Sequence, residues 1–287
     1  MPIELFDPFA EKNREIVKDL QANILKGHDR NRAALFFLKF DTDRIDLVKR
    51  AISNAANEQL FTPFILQMEE WKHYRRHRVP GGSVVNFFLT SKGYEALGYS
   101  PKQLQDLRFD PRFIEGMYVG GKYDPKNELH DPDPRSRWDE QYYYKNAEDS
   151  TRDRVKDVDA LLLIADDDEG NLGQKVRIFL RDYLEVGSGR KLATIGAAEH
   201  AFQRRDKFEQ PIEHFGFRDG ISNPLFLTTD QKRIDEDYGP KPPWDPRAPL
   251  DLVLVQDPLG GHGRNSLGSY MVYRKYEQHV GQFEALI

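Results

Sequence analysis

An α+β fold, a four-stranded antiparallel sheet with helices on one face, is what the sequence predicts, and three observations predict it. Four short runs dense in apolar residues, Ala33 to Phe40, Val84 to Thr90, Asp159 to Ala165 and Lys191 to Ala198, have the length of strands. Apolar residues at helical spacing follow the first and the third of these runs. The resulting order, strand, helix, strand, strand, helix, strand, is the βαββαβ order of a ferredoxin-like unit.

Taken in chain order, residues 11 to 25 place Ile16, Leu20, Ile24 and Leu25 at helical spacing, and Gly27 follows where a C-cap is expected. AALFFLKF, Ala33 to Phe40, lies between the polar segments HDRNR and DTDR and suits a buried strand. Ile45, Leu47, Val48, Ala51 and Ile52 mark the helix after it. Pro80-Gly81-Gly82 turns the chain into the strand Val84 to Thr90, and two short helical stretches lie between Lys92 and Leu107. From 110 to 150 the density of Pro, Gly and Asp predicts a long ordered loop or a lid. The strand Asp159 to Ala165 runs into an expected turn over Asp166 to Asn171, and Val176, Phe179, Leu180, Tyr183 and Leu184 mark the second helix. Gly268 to Tyr273 predicts a further strand, and Tyr276, Val280, Phe283 and Ile287 a further helix. These two open a second ferredoxin-like unit, and two elements cannot bury a sheet face by themselves. The expected division is a ferredoxin-like domain over 1–205 with the inserted loop 110–150, a connection over 206–265, and the incomplete second unit over 266–287.

Composition narrows the function classes. With 287 residues, 39% hydrophobic, and 18 Phe and 13 Tyr, the chain can build a sizeable core. A net charge of −5 supplies no global basic field for a phosphate backbone, so nucleic acid is not an expected partner. The absence of cysteine excludes disulfides, thiolate nucleophiles, Cys-based zinc sites and iron–sulfur clusters. The N-terminal MPIELFDPFAEKNREIV lacks the basic and apolar regions of a secretory leader, and no apolar run approaches the ~18 residues of a membrane span. A soluble cytoplasmic protein with no membrane association is expected.

The stretch that carries chemistry is EHFGFRDGISNPLF, Glu213 to Phe226. Within it Gly216-Phe217-Arg218-Asp219-Gly220 is a GxxDG element, in which two glycines permit positive φ on either side of an acid and so present a carboxylate from a tight turn. Asp-Gly is also a common structural turn, and GxxDG by itself is weak. The longer context resembles the dye-decolourising peroxidases. QANILKGH (Gln21 to His28) is similar to the segment before their first strand. Arg112 to Met117 (RFIEGM) and the loop from Leu129 through Trp138 resemble the middle of the family's longer-chain branch, GFRDGISNP its distal-pocket signature, and Gly268 to Lys275 (GSYMVYRK) the strand that opens its second half. These matches keep their family order over nearly the whole chain.

The resemblance implies a haem peroxidase of two ferredoxin-like halves, reducing hydrogen peroxide and oxidising a small aromatic reductant such as a dye or phenol. It implies Asp219 as the distal acid and base, with Phe217, Gly220, Ile221, Ser222 and Asn223 along the haem rim. The family's proximal histidine and distal arginine lie downstream of the GSY strand, outside this chain. The haem b ligand is therefore expected from a second polypeptide or from the missing C-terminal part, and Arg218 is not the family's distal arginine. His200, His214 and His279 are more plainly structural than axial ligands. The alternatives are a haem-free interaction protein that keeps the scaffold, with Asp219 bonding nearby backbone N–H groups, and a fragment of an ordinary single-chain peroxidase.

Three other signals are weaker. His73 and His77 are four apart on WKHYRRHR, but Lys72, Arg75, Arg76 and Arg78 repel a cation, and a solvated basic face is expected. Asp166 to Asn171 resembles part of a calcium loop without its full spacing or its distal glutamate, and reads as a hairpin turn. Trp138, close to Tyr142, Tyr143 and Tyr144, is the expected surface electron relay, with packing as the competing role.

Overall fold

The computed structural model describes residues 4–116, 126, 141–144, 154–155, 157–186, 189–218, 223–239, 245–261 and 266–287. Its sheet is built from β1 (Arg32–Phe40), β2 (Val84–Leu89), β3 (Ala160–Asp166) and β4 (Ala193–Phe202). The spatial order is β2, β3, β1, β4, and every neighbouring pair is antiparallel. That is the ferredoxin-like arrangement the element order predicts.

Register decides what each face carries, because successive side chains alternate across a strand. Phe36 lies opposite Leu162 and Ala198, and Phe37 opposite Leu161 and Ala197. On one face Phe36, Leu38, Val85, Leu162 and Ile164 pack with Val48 of α2 (Ile45–Asn57) and Leu172 and Phe179 of α7 (Glu169–Asp182). On the other, Leu35, Phe37, Phe88, Leu161 and Ala197 meet Tyr142, Val158 and Tyr273. All seven residues of β3 are buried, which is why its sequence is a continuous apolar run and not an alternating one.

A second cluster ties the chain just beyond the GFRDGISNP motif to the N-terminal region. Val17 of α1 (Arg14–Asp19), Phe64 and Met68 of α3 (Phe64–His77), and Phe6, Leu20, Phe226 and Leu227 are buried together. Phe6 N donates to Phe226 O at 2.8 Å, and Thr228 N donates to Phe6 O at 3.0 Å.

Several local expectations are corrected. The helix expected over 11 to 25 is confined to a short 3-10 turn and α1, since Leu20 is extended and Asn23 takes a φ of 67°. α3 is a full helix that packs Phe64, Ile65, Met68 and Trp71 into the second cluster while Leu66, His73, Tyr74 and His77 stay exposed. The expected hairpin turn over Asp166 to Asn171 is the start of α7: Asp168 caps it by accepting from Asn171 N at 2.8 Å, and Asp166 accepts from Asp168 N at 2.8 Å. The expected 110–150 loop opens with the helix Pro111–Glu115 and includes the short strand Tyr143–Tyr144, whose partner Arg154–Val155 lies just past it; much of the loop's middle lies outside the described residues. The strand expected over Gly268 to Tyr273 is limited to Leu267–Gly268, paired with Val255–Gln256, and the helix after it to Val280–Glu284. Among the described residues, 269 to 279 are assigned to no strand.

Candidate functional site

The described part of the motif stops at Arg218 and resumes at Asn223. Asp219, Gly220, Ile221 and Ser222, the expected acid and three of its neighbours, lie outside the described residues. What the structure defines is the frame on either side of them.

Upstream, the chain folds back on itself. Ile212 pairs antiparallel with Arg218, Glu213 N donates to Phe217 O at 3.0 Å, and Gly216 N donates to Glu213 O at 3.0 Å. Gly216 sits at a φ of +94°, a conformation that a side chain resists. The Glu213 carboxylate organises this turn: one oxygen accepts from Phe215 N and the other from Phe217 N, both at 2.8 Å, and Gln278 Nε2 donates to it at 2.9 Å. Desolvation works to raise the Glu213 pKa, but these donors and the neighbouring His214 favour the charged form and hold it below the usual value.

Downstream, Leu225, Phe226 and Leu227 are buried. Leu225 N donates to Pro246 O at 2.7 Å, and Ala248 N donates to Leu225 O at 2.9 Å. The described residues on either side of 219–222 are thus a hydrogen-bonded turn and a buried segment.

Phe217 is 58% exposed, and its ring meets Phe283 edge-on at 5.7 Å, with Phe215 at 4.6 Å from the same ring. Asn223 is exposed. Met271, Val272 and Tyr276 are also exposed, on the segment that Gln278 ties to Glu213. A planar apolar cofactor needs surfaces of this kind, and the described residues fit one in that respect. His214 is exposed, with Arg204 Nη1 3.3 Å from its Nδ1; His200 is an exposed residue of β4, and His279 is exposed at the start of the last helix. Among the described residues no group of three or more His, Asp or Glu side chains could hold a metal ion. Trp138 lies outside the described residues.

Sequence reasoning missed how the C-terminal segment is held against the sheet. Tyr270 Oη accepts from Asp110 N at 2.9 Å and its ring lies 5.3 Å from Phe113, Tyr273 packs on Phe37 at 4.8 Å, and Lys275 Nζ donates to Glu199 at 2.7 Å. The partners run from 76 positions apart, Glu199 and Lys275, to opposite ends of the chain, Phe37 and Tyr273, so no local pattern signals them.

No protein-family model matches the chain. It is 29% identical over 290 residues to a multifunctional dye peroxidase of Amycolatopsis sp., a match covering 99% of this chain and 55% of that protein. Among solved structures, a DyP-type peroxidase of Anabaena sp. superposes with a TM-score of 0.78 at 36% identity, covering 96% of this chain and 53% of that one. The structure of the Amycolatopsis peroxidase gives a TM-score of 0.67 at 25% identity, covering 89% and 48%. The chain thus spans about half the length of the relatives it matches.

Proposed function

We propose that this chain is a member of the DyP-type peroxidase family and forms the distal-side part of a haem-dependent dye-decolourising peroxidase. The observation that carries the reading is a likeness over nearly the whole chain that includes GFRDGISNP between two fixed anchors. Its partners are hydrogen peroxide, a small aromatic reductant, and a second polypeptide or C-terminal part that completes the fold and brings the axial histidine. The division into 1–205, 206–265 and 266–287 belongs to the same reading. No helix among the described residues is long and apolar enough to cross a membrane; a cytoplasmic location is part of the same proposal.

Haem b, when bound, would supply the redox chemistry between peroxide and the reductant. The chain's own contribution is proton handling at the carboxylate of Asp219. That group accepts the proton hydrogen peroxide releases on binding and returns it to the departing oxygen, so that the O–O bond breaks heterolytically with water as product. Phe217, Gly220, Ile221, Ser222 and Asn223 would line the cofactor. The turn held by Glu213 and the anchor at Leu225 orient the connection that bears the acid. An unperturbed Asp titrates near ~3.9, so the base form is lost below about that pH while proton return weakens well above it. Activity is expected to favour mildly acidic pH.

A visible absorption spectrum of the purified protein, read beside a denaturing gel of the same sample, tests the assignment. A Soret band that tracks with a second gel band supports a two-chain peroxidase, and Asp219→Asn should then slow peroxide-driven dye oxidation by roughly 100-fold or more while the band remains. A Soret band with this chain alone moves the axial ligand onto one of its eight histidines or another of its side chains and removes the second chain. No band after haem is added, with any partner retained, overturns the peroxidase reading and leaves a haem-free scaffold protein.

A further inference from the structure

His28 lies in the loop between α1 and β1, and its ring is part of that loop's hydrogen bonding. Arg30 N donates to His28 Nδ1 at 3.0 Å, so Nδ1 carries a lone pair and the ring proton sits on Nε2. His28 N in turn donates to Asn23 Oδ1 at 3.1 Å. Gln67 of α3 closes the loop, accepting from Asn23 N at 2.9 Å and donating to the carbonyls of Lys26 and Gly27 at 3.0 and 2.9 Å. The Arg30 guanidinium donates to Glu70 of α3 at 2.8 Å and to the Gly82 carbonyl at 3.0 Å. The same loop holds both flanks of the connection that bears Asp219. Upstream, Gln203 N donates to Asn31 O at 2.8 Å, and Arg205 Nη2 donates to Asn31 Oδ1 at 2.6 Å. Asn31 is itself fixed by Asp167, which accepts from its backbone and side-chain nitrogens at 3.0 and 2.9 Å. Downstream, Lys26 Nζ donates to Asp230 of the helix Thr228–Tyr238 at 2.8 Å, and both side chains of that pair are buried.

We propose that His28 is an acid-sensitive switch in this loop, and that its protonation slackens both tethers of the distal connection together. A proton on Nδ1 turns an acceptor into a donor. The new N–H then opposes the Arg30 N–H, and the imidazolium stands beside the Arg30 guanidinium. The charged groups that face the ring are Asp29 and Arg30 of its own loop and Asp167 at the start of α7, with Glu70 of α3 engaged by Arg30. Burial lowers the His28 pKa below the ordinary 6.5 and Arg30 adds to this, against the two aspartates. A histidine depressed in the folded state contributes stability that is fully present above 6.5 and is lost as the pH falls from there to its folded value. Once charged, the ring leaves Arg30 N for Asp29 or Asp167. Asp167 is the group that fixes Asn31, and the bonds at Asn23 and His28 set the path of Lys26, so the grip on Arg205 and on Asp230 loosens in one event.

The consequence for catalysis, an acid limit set by the frame around Asp219, rests on the peroxidase reading. The switch itself is tested on the 287-residue chain without haem. Amide hydrogen exchange, expressed as protection relative to the unstructured rate, is followed from about pH 7.5 to about pH 5 at Arg30, Gln203 and Asp230. Protection at all three should fall by roughly tenfold or more with one midpoint. That midpoint should coincide with the titration of His28, read from its imidazole nitrogen resonances, and lie below 6.5. The chain has eight histidines, so the assignment rests on His28→Asn, whose amide oxygen can accept from Arg30 N and does not titrate. In that variant all three amides should stay protected over the same range. If the variant does not fold, the coincidence of midpoints in the parent decides. Protection that acid leaves unchanged in the parent, or that is lost equally in His28→Asn, overturns the inference, as does a loss confined to Arg30. Because no haem is present, failure here leaves the peroxidase reading standing. A chain that shows the acid step but never binds haem keeps the switch and loses only its catalytic consequence.

Discussion

Glu213 holds the turn ahead of Asp219 by accepting from two backbone amides and a side-chain amide on one carboxylate. Its pKa lies below the ordinary value of 4.5. A carboxylate depressed in the folded state contributes stability that is fully present above its unfolded pKa and is lost as pH falls through its folded one. The amides of Phe215 and Phe217 should therefore lose protection against hydrogen exchange as the pH drops below 4.5. In Glu213→Gln the neutral side chain accepts more weakly, so both amides should be less protected at neutral pH and the acid-dependent step should vanish. An unchanged exchange profile in that variant would show that the turn stands without the carboxylate. The sequence singled out the segment through its glycines and its aspartate, yet Glu213 looked like any exposed acid there. A side chain bonding backbone two and four residues on leaves no periodic trace.

At the scale of elements, β2, β3 and α4 (Ser91–Ala96) meet at one crowded point. The buried Asp159 carboxylate accepts from Phe40 N at 2.7 Å and from Lys39 Nζ at 2.9 Å, and its carbonyl accepts from Thr90 N at 3.0 Å. A Cβ on Gly93 would lie 2.0 Å from that carbonyl oxygen, and backbone cannot yield as a flexible side chain does. Gly93→Ala should cost about 1–3 kcal/mol through overpacking, read as a lowered midpoint in thermal or urea unfolding. A midpoint equal to the parent's would mean that α4 can slide off the strand end. The strands themselves were legible because each is an apolar run of strand length, displaced from the observed bounds by at most a few residues. The start of α7 was not, because Asp166, Asp167 and Asp168 have the composition of a turn. They serve as caps and tethers: Asp167 binds the backbone and side chain of Asn31, and Asp168 closes the first turn of the helix.

Across the whole molecule, the C-terminal segment is pinned on one side and bare on the other. Tyr270, Tyr273, Lys275 and Gln278 bond to the domain beneath, while Val272, Tyr276, Leu286 and Ile287 are 67 to 87% exposed. Exposed apolar side chains of this kind suit a surface that the proposed second half would cover, and the relatives are about twice as long as this chain. Adding a polypeptide that carries the C-terminal half of the Anabaena peroxidase should slow deuterium uptake across 270–287 and reduce binding of an apolar fluorescent dye. Uptake at the exposed hairpin tip around Phe208 should stay as it was. If both regions respond alike, or neither does, this surface is not where the second half docks.

From the sequence alone came the βαββαβ order, both helices of the sheet's covered face, and the acid-bearing connection, because each is written in contiguous residues. Periods of two and of 3.6 residues report which side of its own element a residue is buried on. They do not report what lies across from it. That Tyr142 meets Glu199 and Tyr273, that Gln278 reaches Glu213, and that Tyr270 caps Asp110 were settled only in three dimensions. Strand register and the path of the C-terminal segment bring those groups within hydrogen-bond distance, and both are outcomes of packing the whole chain at once.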